Sequence, residues 1–231
     1  MLVYLNGIEN YAFRELMREA GVRNACLSFS YAKRNKKIDW YEVLSPIYSV
    51  MVEPGRVYCT EEFIGEYIDF INEYRDVIDY ALDSVDYSDL VCNNVDVTVI
   101  PSYTGIDRGF DYVGITNKFL NSPYSKSKMT ILKQQGYKLH GIHTNPTRLF
   151  DSMNSAKWLA GKYGYTYEFR HNHLREYYGE YKKYRMGIAK RLNLQGYNID
   201  LSEIKYDDWR TVAFINLIAW KQYSDYMETA K

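Results

Sequence analysis

Short apolar runs alternate with helix-type patterns from the first residues onward, and eight such runs fall before position 162. Residues 2–8, 24–31 and 47–55 read as the first three strands, the last of them running into Glu53-Pro54-Gly55. DYALDSV, VDVTVIPSYTG, FDYVGITN, KLHGIHT and SAKWLAG supply the other five. Between them, residues 12–21 form a helix pattern closed by Gly21, and residues 125–136 one closed by Gly136. The most secure helix starts at Thr60, a good cap followed by two acids, with Phe63, Ile64, Tyr67, Ile68, Ile71 and Tyr74 at helical spacing. TRLFDSM reads as a further short helix. Eight strand–helix units are what a (β/α)8 barrel requires, although an open doubly wound sheet shares the alternation. Connections such as the one around Asp89 to Asn94 are too short for full helices, so the expected barrel is a trimmed TIM-type one.

After Gly161 the pattern changes. YGYTYEFR reads as an edge strand or loop, HLREYYGEYKKYRMGIAKRLNL as a helix interrupted by glycines, and residues 207–227 as a strong helix. The expected organisation is a barrel core over 1–163 and a helical C-terminal extension over 164–231, packed on it as one domain.

Charge narrows the range of functions. The chain has 231 residues, with 29 basic against 29 acidic ones, so overall basicity argues for no partner. The distribution is uneven. Residues 61–89 hold ten acids and one base, whereas residues 112–150 hold no acid and six bases. Residues 170–191 are again basic, which suits a polyanion partner, with a solvated helix face as the alternative. Lys126, Lys128, Arg170, His171, Lys182, Lys183 and Arg185 are therefore the candidate nucleic-acid contacts. Three scattered cysteines exclude a zinc ribbon and a disulfide framework. No stretch is long and apolar enough to span a membrane, and the N-terminus does not read as a signal peptide. The expected location is cytoplasmic. The 25 tyrosines suit wet cores and stacking surfaces, or a biased genome.

Functional residues of parallel α/β folds gather where strands end. That rule selects Asn6 and Glu9, Ser28 and Ser30, Glu53, Asp83 and Asp86, Ser102 and Tyr103, Thr116 and Asn117, His140 and His143, and Asn154. Glu53, before a rigid Pro-Gly turn, is a candidate acid/base or base-recognition group. Asp83 is the second candidate carboxylate. His140 and His143 sit at odd spacing on a strand, so they face opposite ways, and one of them is expected in the core. No metal-ligand spacing, GxGxxG, Walker loop, HExxH or GxSxG occurs. No cofactor or metal is called for.

The segment KLHGIHTNPTRLFDSMNSAKW resembles a stretch of small, phage-type members of the tRNA-guanine transglycosylase-like superfamily, which includes 7-deazaguanine DNA transglycosylases. Lys138, His140, Gly141, Ser152, Ser155 and Trp158 fall in register with the pattern K-x-H-G-x-G-x-T and S-x-D-S-x-x-W, and Thr144 stands one place before the pattern's T. VMVEPGRVY, the long helix after it and the strand ending at Asp83 resemble that superfamily's upstream segments, as does the final helix with Trp209, Asn216 and Trp220. The resemblance implies a barrel that exchanges a guanine base through a covalent glycosyl-enzyme, on DNA or tRNA, with a 7-deazapurine entering. It implies catalytic positions at Glu53, Asp83 and Asn154, while Ser28, Tyr103, Asn117, His140 and His143 are the candidate substrate contacts that the strand-end rule supplies. It also implies a phage-encoded protein of the host cytoplasm. The superfamily's nucleophilic aspartate is replaced by Asn154, and a neutral amide is a poor nucleophile. Asp151 is the one nearby acid that could take its place. The alternative function is a catalytically silent barrel: a nucleic-acid-binding protein, a partner subunit or a phage structural component. Oligomeric state is left open.

Overall fold

A computed structural model describes residues 1–35, 37–55, 59–104, 109–179, 182–205 and 208–230, without the side chains of Lys182, Lys183 and Lys205. Two compact units emerge: residues 1–14 with 22–155, and residues 15–21 with 156–231.

In the first unit the chain runs β1 (Leu2–Asn6), α1 (Tyr11–Glu19, which continues into the second unit), β2 (Asn24–Ser28), the short α2 (Phe29–Ala32) and α3 (Trp40–Leu44), and β3 (Ser49–Glu53). It continues through α4 (Glu61–Glu73), β4 (Tyr80–Leu82), α5 (Ser88–Asn94), β5 (Thr98–Ile100), β6 (Tyr112–Thr116), α6 (Asn117–Leu120), α7 (Ser125–Gln134), β7 (Lys138–Ile142) and β8 (Ser152–Ser155). All eight strands are parallel, in the order β5-β4-β3-β2-β1-β8-β7-β6. The ring nearly closes through a bridge between Ser102 and Gly114. There Gly114 N–H donates to Pro101 O and Tyr103 N–H to Gly114 O, both at 2.7 Å. A Cβ on Gly114 would lie 2.5 Å from Ile142 Cδ1, so a larger residue at this junction would push aside the tip of that side chain. This is the expected α/β TIM-like barrel, trimmed where β7 passes to β8 with no described helix.

Helix α4 forms as its sequence predicts. Thr60 Oγ1 accepts from Phe63 N–H, and six apolar residues face inward. Among them, the Tyr67 hydroxyl lies 3.0 and 2.9 Å from the carbonyl oxygens of Val52 and Leu82. It thereby clamps the ends of β3 and β4, just before Glu53 and Asp83. The barrel interior is filled by Tyr4, Cys26, Met51, Leu82 and Ile100, with Tyr80 and Tyr112 against them. Part of the tyrosine enrichment is therefore core. Each buried hydroxyl needs a partner: Tyr4 donates to Ser49 Oγ at 3.0 Å, and Ser49 donates to Asp79 Oδ2 at 2.8 Å.

Three expectations are corrected. The eighth strand is Ser152–Ser155, whereas SAKWLAG leads into a 3-10 helix over Lys157–Tyr163. TRLFDSM is not helical; Phe150 N–H closes a turn onto Thr147 O. HLREYY is a strand.

The second unit accordingly contains a hairpin of β9 (Tyr165–Arg170) and β10 (His173–Tyr178), besides α8 (Lys182–Leu194), α9 (Leu201–Lys205) and α10 (Trp209–Thr229). His171 and Asn172, at φ 52° and 64°, make the two-residue turn, the left-handed pair that matches strand twist. Asn216 on α10 is wholly buried; its Oδ1 accepts from Tyr167 N–H at 2.7 Å, and its amide nitrogen donates to Trp158 O and Tyr165 O. None of the described helices is long and apolar enough to cross a membrane.

Candidate functional site

Four strands of the first unit deliver polar side chains to one place where they end. Asn6 is the last residue of β1, Glu53 the last of β3, His143 follows β7, and Asn154 is the last but one of β8. Glu53 Oε1 accepts from Asn6 Nδ2 at 2.9 Å. Its Oε2 accepts from Asn154 Nδ2 and from His143 Nε2, both at 2.8 Å. Glu53 is 7% exposed, while the His143 side chain is 46% exposed and forms the open rim.

The turn after Glu53 fixes its aim. Gly55 has φ 73°, and a Cβ there would lie 1.9 Å from Ser28 Oγ and 2.8 Å from Ser30 Oγ. Ser30 N–H donates to Pro54 O, and Ser30 Oγ donates to Gly55 O at 3.1 Å. Ser28, paired in register with Glu53, thus supports the turn rather than lining an opening.

Asn154 is oriented without ambiguity. Its Oδ1 lies 3.0 Å from the His143 backbone N–H, an obligatory donor, so the other amide atom is the nitrogen that faces Glu53. His140 Nε2, 3.4 Å from the same Oδ1, must then carry the ring proton. His140 Nδ1 is left as an acceptor for Ser152 Oγ at 2.5 Å, and Ser152 in turn accepts from the Tyr112 hydroxyl. A polar chain of fixed direction therefore runs through the barrel to Glu53. His140 is wholly buried, and burial, reinforced by the nearby charge of His143, lowers its pKa to about 3 against the favourable bond to Asn154. It acts through Asn154 and cannot touch a substrate, which corrects its expected role as a contact.

His143 has φ 50°, a costly conformation for a residue with a Cβ. Asn117 Nδ2 steadies it by donating to the His143 carbonyl at 3.0 Å. Burial opposes protonation of His143, but the hydrogen bond and charge of Glu53 outweigh it, so its pKa is raised.

Glu9, in the loop after β1, was visible only as a strand-end acid. Its carboxyl is half-buried, and its Oε2 is shielded from water with no hydrogen-bond partner. Burial raises its pKa to about 7, opposed by backbone donors of Glu9 and Ser28 and supported by the charge of Glu53. Asn6, the last residue of β1, is the other contributor whose importance lay in its strand-end position alone.

The remaining expected residues lie elsewhere. Asp83 Oδ1 accepts from both the N–H and the hydroxyl of Ser102, and its Oδ2 is buried without a partner. Tyr103 packs edge-on against Phe119 beside the β5–β6 bridge. Asp151 precedes β8 and binds Lys133 Nζ at 2.6 Å and Leu139 N–H at 2.8 Å. It therefore sits at the opposite end of the strand from the Glu53 cluster and cannot stand in for Asn154. Lys126 and Lys128 are exposed in the first turn of α7, and Arg170 and His171 at the hairpin turn. Arg185 is buried, with its Nε donating to Thr166 Oγ1 at 2.8 Å, so it braces the second unit instead of meeting a polymer. The side chains of Lys182 and Lys183 lie outside the described residues. Among those residues no three His, Cys, Asp or Glu side chains form a group that could hold a metal ion.

Comparisons with known protein families, curated proteins and solved structures found no match.

Proposed function

We propose that the barrel is a tRNA-guanine transglycosylase-like protein that holds a guanine-type base of a nucleic acid at Glu53 and acts on its glycosidic bond. The observation that carries this reading is the convergence of Asn6, His143 and Asn154 on one shielded carboxylate where the barrel strands end. Such a carboxylate is a ready partner for proton transfer or for a cationic centre at the sugar. Lys126 and Lys128 supply cations for backbone phosphates. A base reached in a polymer would be swung out of its stack.

Incubation with labelled guanine and either tRNA or DNA tests this directly. Incorporation that disappears in Glu53→Gln is the expected result, and the polymer that accepts label identifies the substrate. One feature favours a second reading, a silent base-binding barrel: Asn154 offers an amide where the resemblance places the attacking carboxylate. That reading expects guanine-containing polymer to bind the wild-type protein without exchange, and exchange to appear in Asn154→Asp. Absence of both binding and exchange overturns both readings.

A further inference from the structure

The Glu53 carboxylate lies in direct contact with the side chain of Asn154, the position where the resemblance places the attacking acid. Its Oε2 is 2.8 Å from the Asn154 amide nitrogen, the atom that an aspartate would replace with oxygen. One extra methylene, aimed by the Pro54-Gly55 turn, brings the acid of β3 to the end of β8. The amide of Asn154 then becomes a donor that holds this acid. An aspartate there would instead press two carboxylates together and force them to share a proton. Among the described residues the donors are unevenly spread: two rest on Oε2 and one on Oε1, which leaves Oε1 a lone-pair site for another atom. A second carboxyl stands close by. Glu9 belongs to the loop after β1, accepts from the backbone of Ser28, whose strand position pairs with Glu53, and keeps a buried oxygen with no partner.

We propose that Glu53 is the nucleophile of the glycosyl transfer and Glu9 its proton donor and acceptor, so that the function of the missing acid has moved from β8 to β3. This rests on the base-exchange reading above. In the first step an Oε1 lone pair forms a bond to C1′ of the guanosine. The C1′–N9 bond breaks with its electron pair going to the base, and the Glu9 carboxyl gives that base a proton. Glu53 is left as a glycosyl ester. In the second step the Glu9 carboxylate takes a proton from an incoming purine-type base, whose nitrogen attacks C1′ and releases Glu53. Two acids with different protonation in one site are the usual arrangement for such double displacement. Glu9 suits the acid role because burial keeps it protonated to about pH 7, with Glu53 and Arg14 as the charged groups acting on it.

The full-length protein is incubated with an oligonucleotide carrying a single 2′-fluoro-arabinoguanosine, whose fluorine slows breakdown of a glycosyl ester, then digested for mass spectrometry. A covalent adduct on the peptide containing Glu53, absent from Glu53→Gln, is expected. Glu9→Gln is compared for release of the base in a single turnover, the first step alone, on guanosine and on 7-methylguanosine oligonucleotides, the latter having a cationic leaving group that needs no proton. A loss of roughly a hundredfold or more on guanosine with little loss on 7-methylguanosine marks a proton donor. Asn154→Asp is expected to lower exchange near neutral pH. An adduct on another residue, equal loss on both substrates, or a gain of exchange in Asn154→Asp overturns the proposal while leaving base exchange intact. Wild-type protein that neither exchanges guanine nor forms the adduct overturns both.

Discussion

Glu53 in the barrel and Glu168 in the C-terminal unit are each 7% exposed, yet they are held in opposite ways. Glu168 Oε1 accepts from Arg191 Nε at 2.8 Å and from a second guanidinium nitrogen at 2.5 Å, and its Oε2 accepts from the Tyr177 hydroxyl. A full positive charge cancels the acid, which ties β9 to α8. Glu53 has no Arg or Lys in its described hydrogen-bond set. Two neutral amides and a histidine orient it without cancelling it permanently. An acid locked to a guanidinium serves the fold. An acid steered by amides keeps its charge available for a substrate, and that difference in partners, more than burial, separates a site from a brace.

The contrast can be broken in several ways. The largest effect is expected for Glu53→Gln, which should lower base exchange at least about a thousandfold, as loss of a nucleophile does. Its circular dichroism should remain that of the wild type; a collapse of structure would make Glu53 a brace like Glu168. Gly55→Ala should cost about 3 kcal/mol in urea denaturation, since it combines a left-handed backbone with a severe contact on Ser28. A loss under ~0.5 kcal/mol would mean the turn does not dictate where Glu53 points.

Acid should then act through His140. Its folded pKa is depressed to about 3, so below its ordinary value of 6.5 the unfolded chain takes a proton that the folded one refuses. Stability attributable to it is present above pH 6.5 and is lost on descent toward pH 3, at up to about 1.4 kcal/mol per pH unit. Glu9 works the other way, contributing stability that fades as pH rises from 4.5 to about 7. Denaturant midpoints followed across this range in wild type and His140→Gln should show a shallower acid loss in the variant. The smallest effect is expected for Glu168→Gln, about 1 kcal/mol because Arg191 is partly solvated, with exchange activity unchanged. Loss of exchange there would end the distinction between the two acids.

The barrel was legible because buried parallel strands read as apolar runs, and strand ends then pointed to Glu53, His143 and Asn154 together. What escaped the sequence had physical causes. Strand β8 is Ser-Met-Asn-Ser, and its polar side chains are satisfied inside the barrel, so hydrophobic periodicity passed it over for the Trp158 segment. Strand β10 is mostly exposed, and its turn uses His171-Asn172 instead of a glycine pair, which hid the hairpin inside a helix-like charged run. Asp83 was grouped with Glu53 by position, but Ser102 claims one of its oxygens. Arg185 carried a charge that suggested a polymer, although burial sets its role. Charge runs report composition, while contacts depend on which side of an element each residue takes.

The junction at Ser102 and Gly114 has a further consequence. A ring of staves has no free rim, and among the described residues this one is fastened by a single bridge, with Asp83 gripping the Ser102 end. Parting that fastening would turn β5 and β6 into two open borders, each offering unpaired backbone to another strand. Amide protons of Val99 and Ile115 should accordingly exchange with solvent sooner than those of β1 and β2, and mutations that loosen Asp83 from Ser102 should show first as self-association.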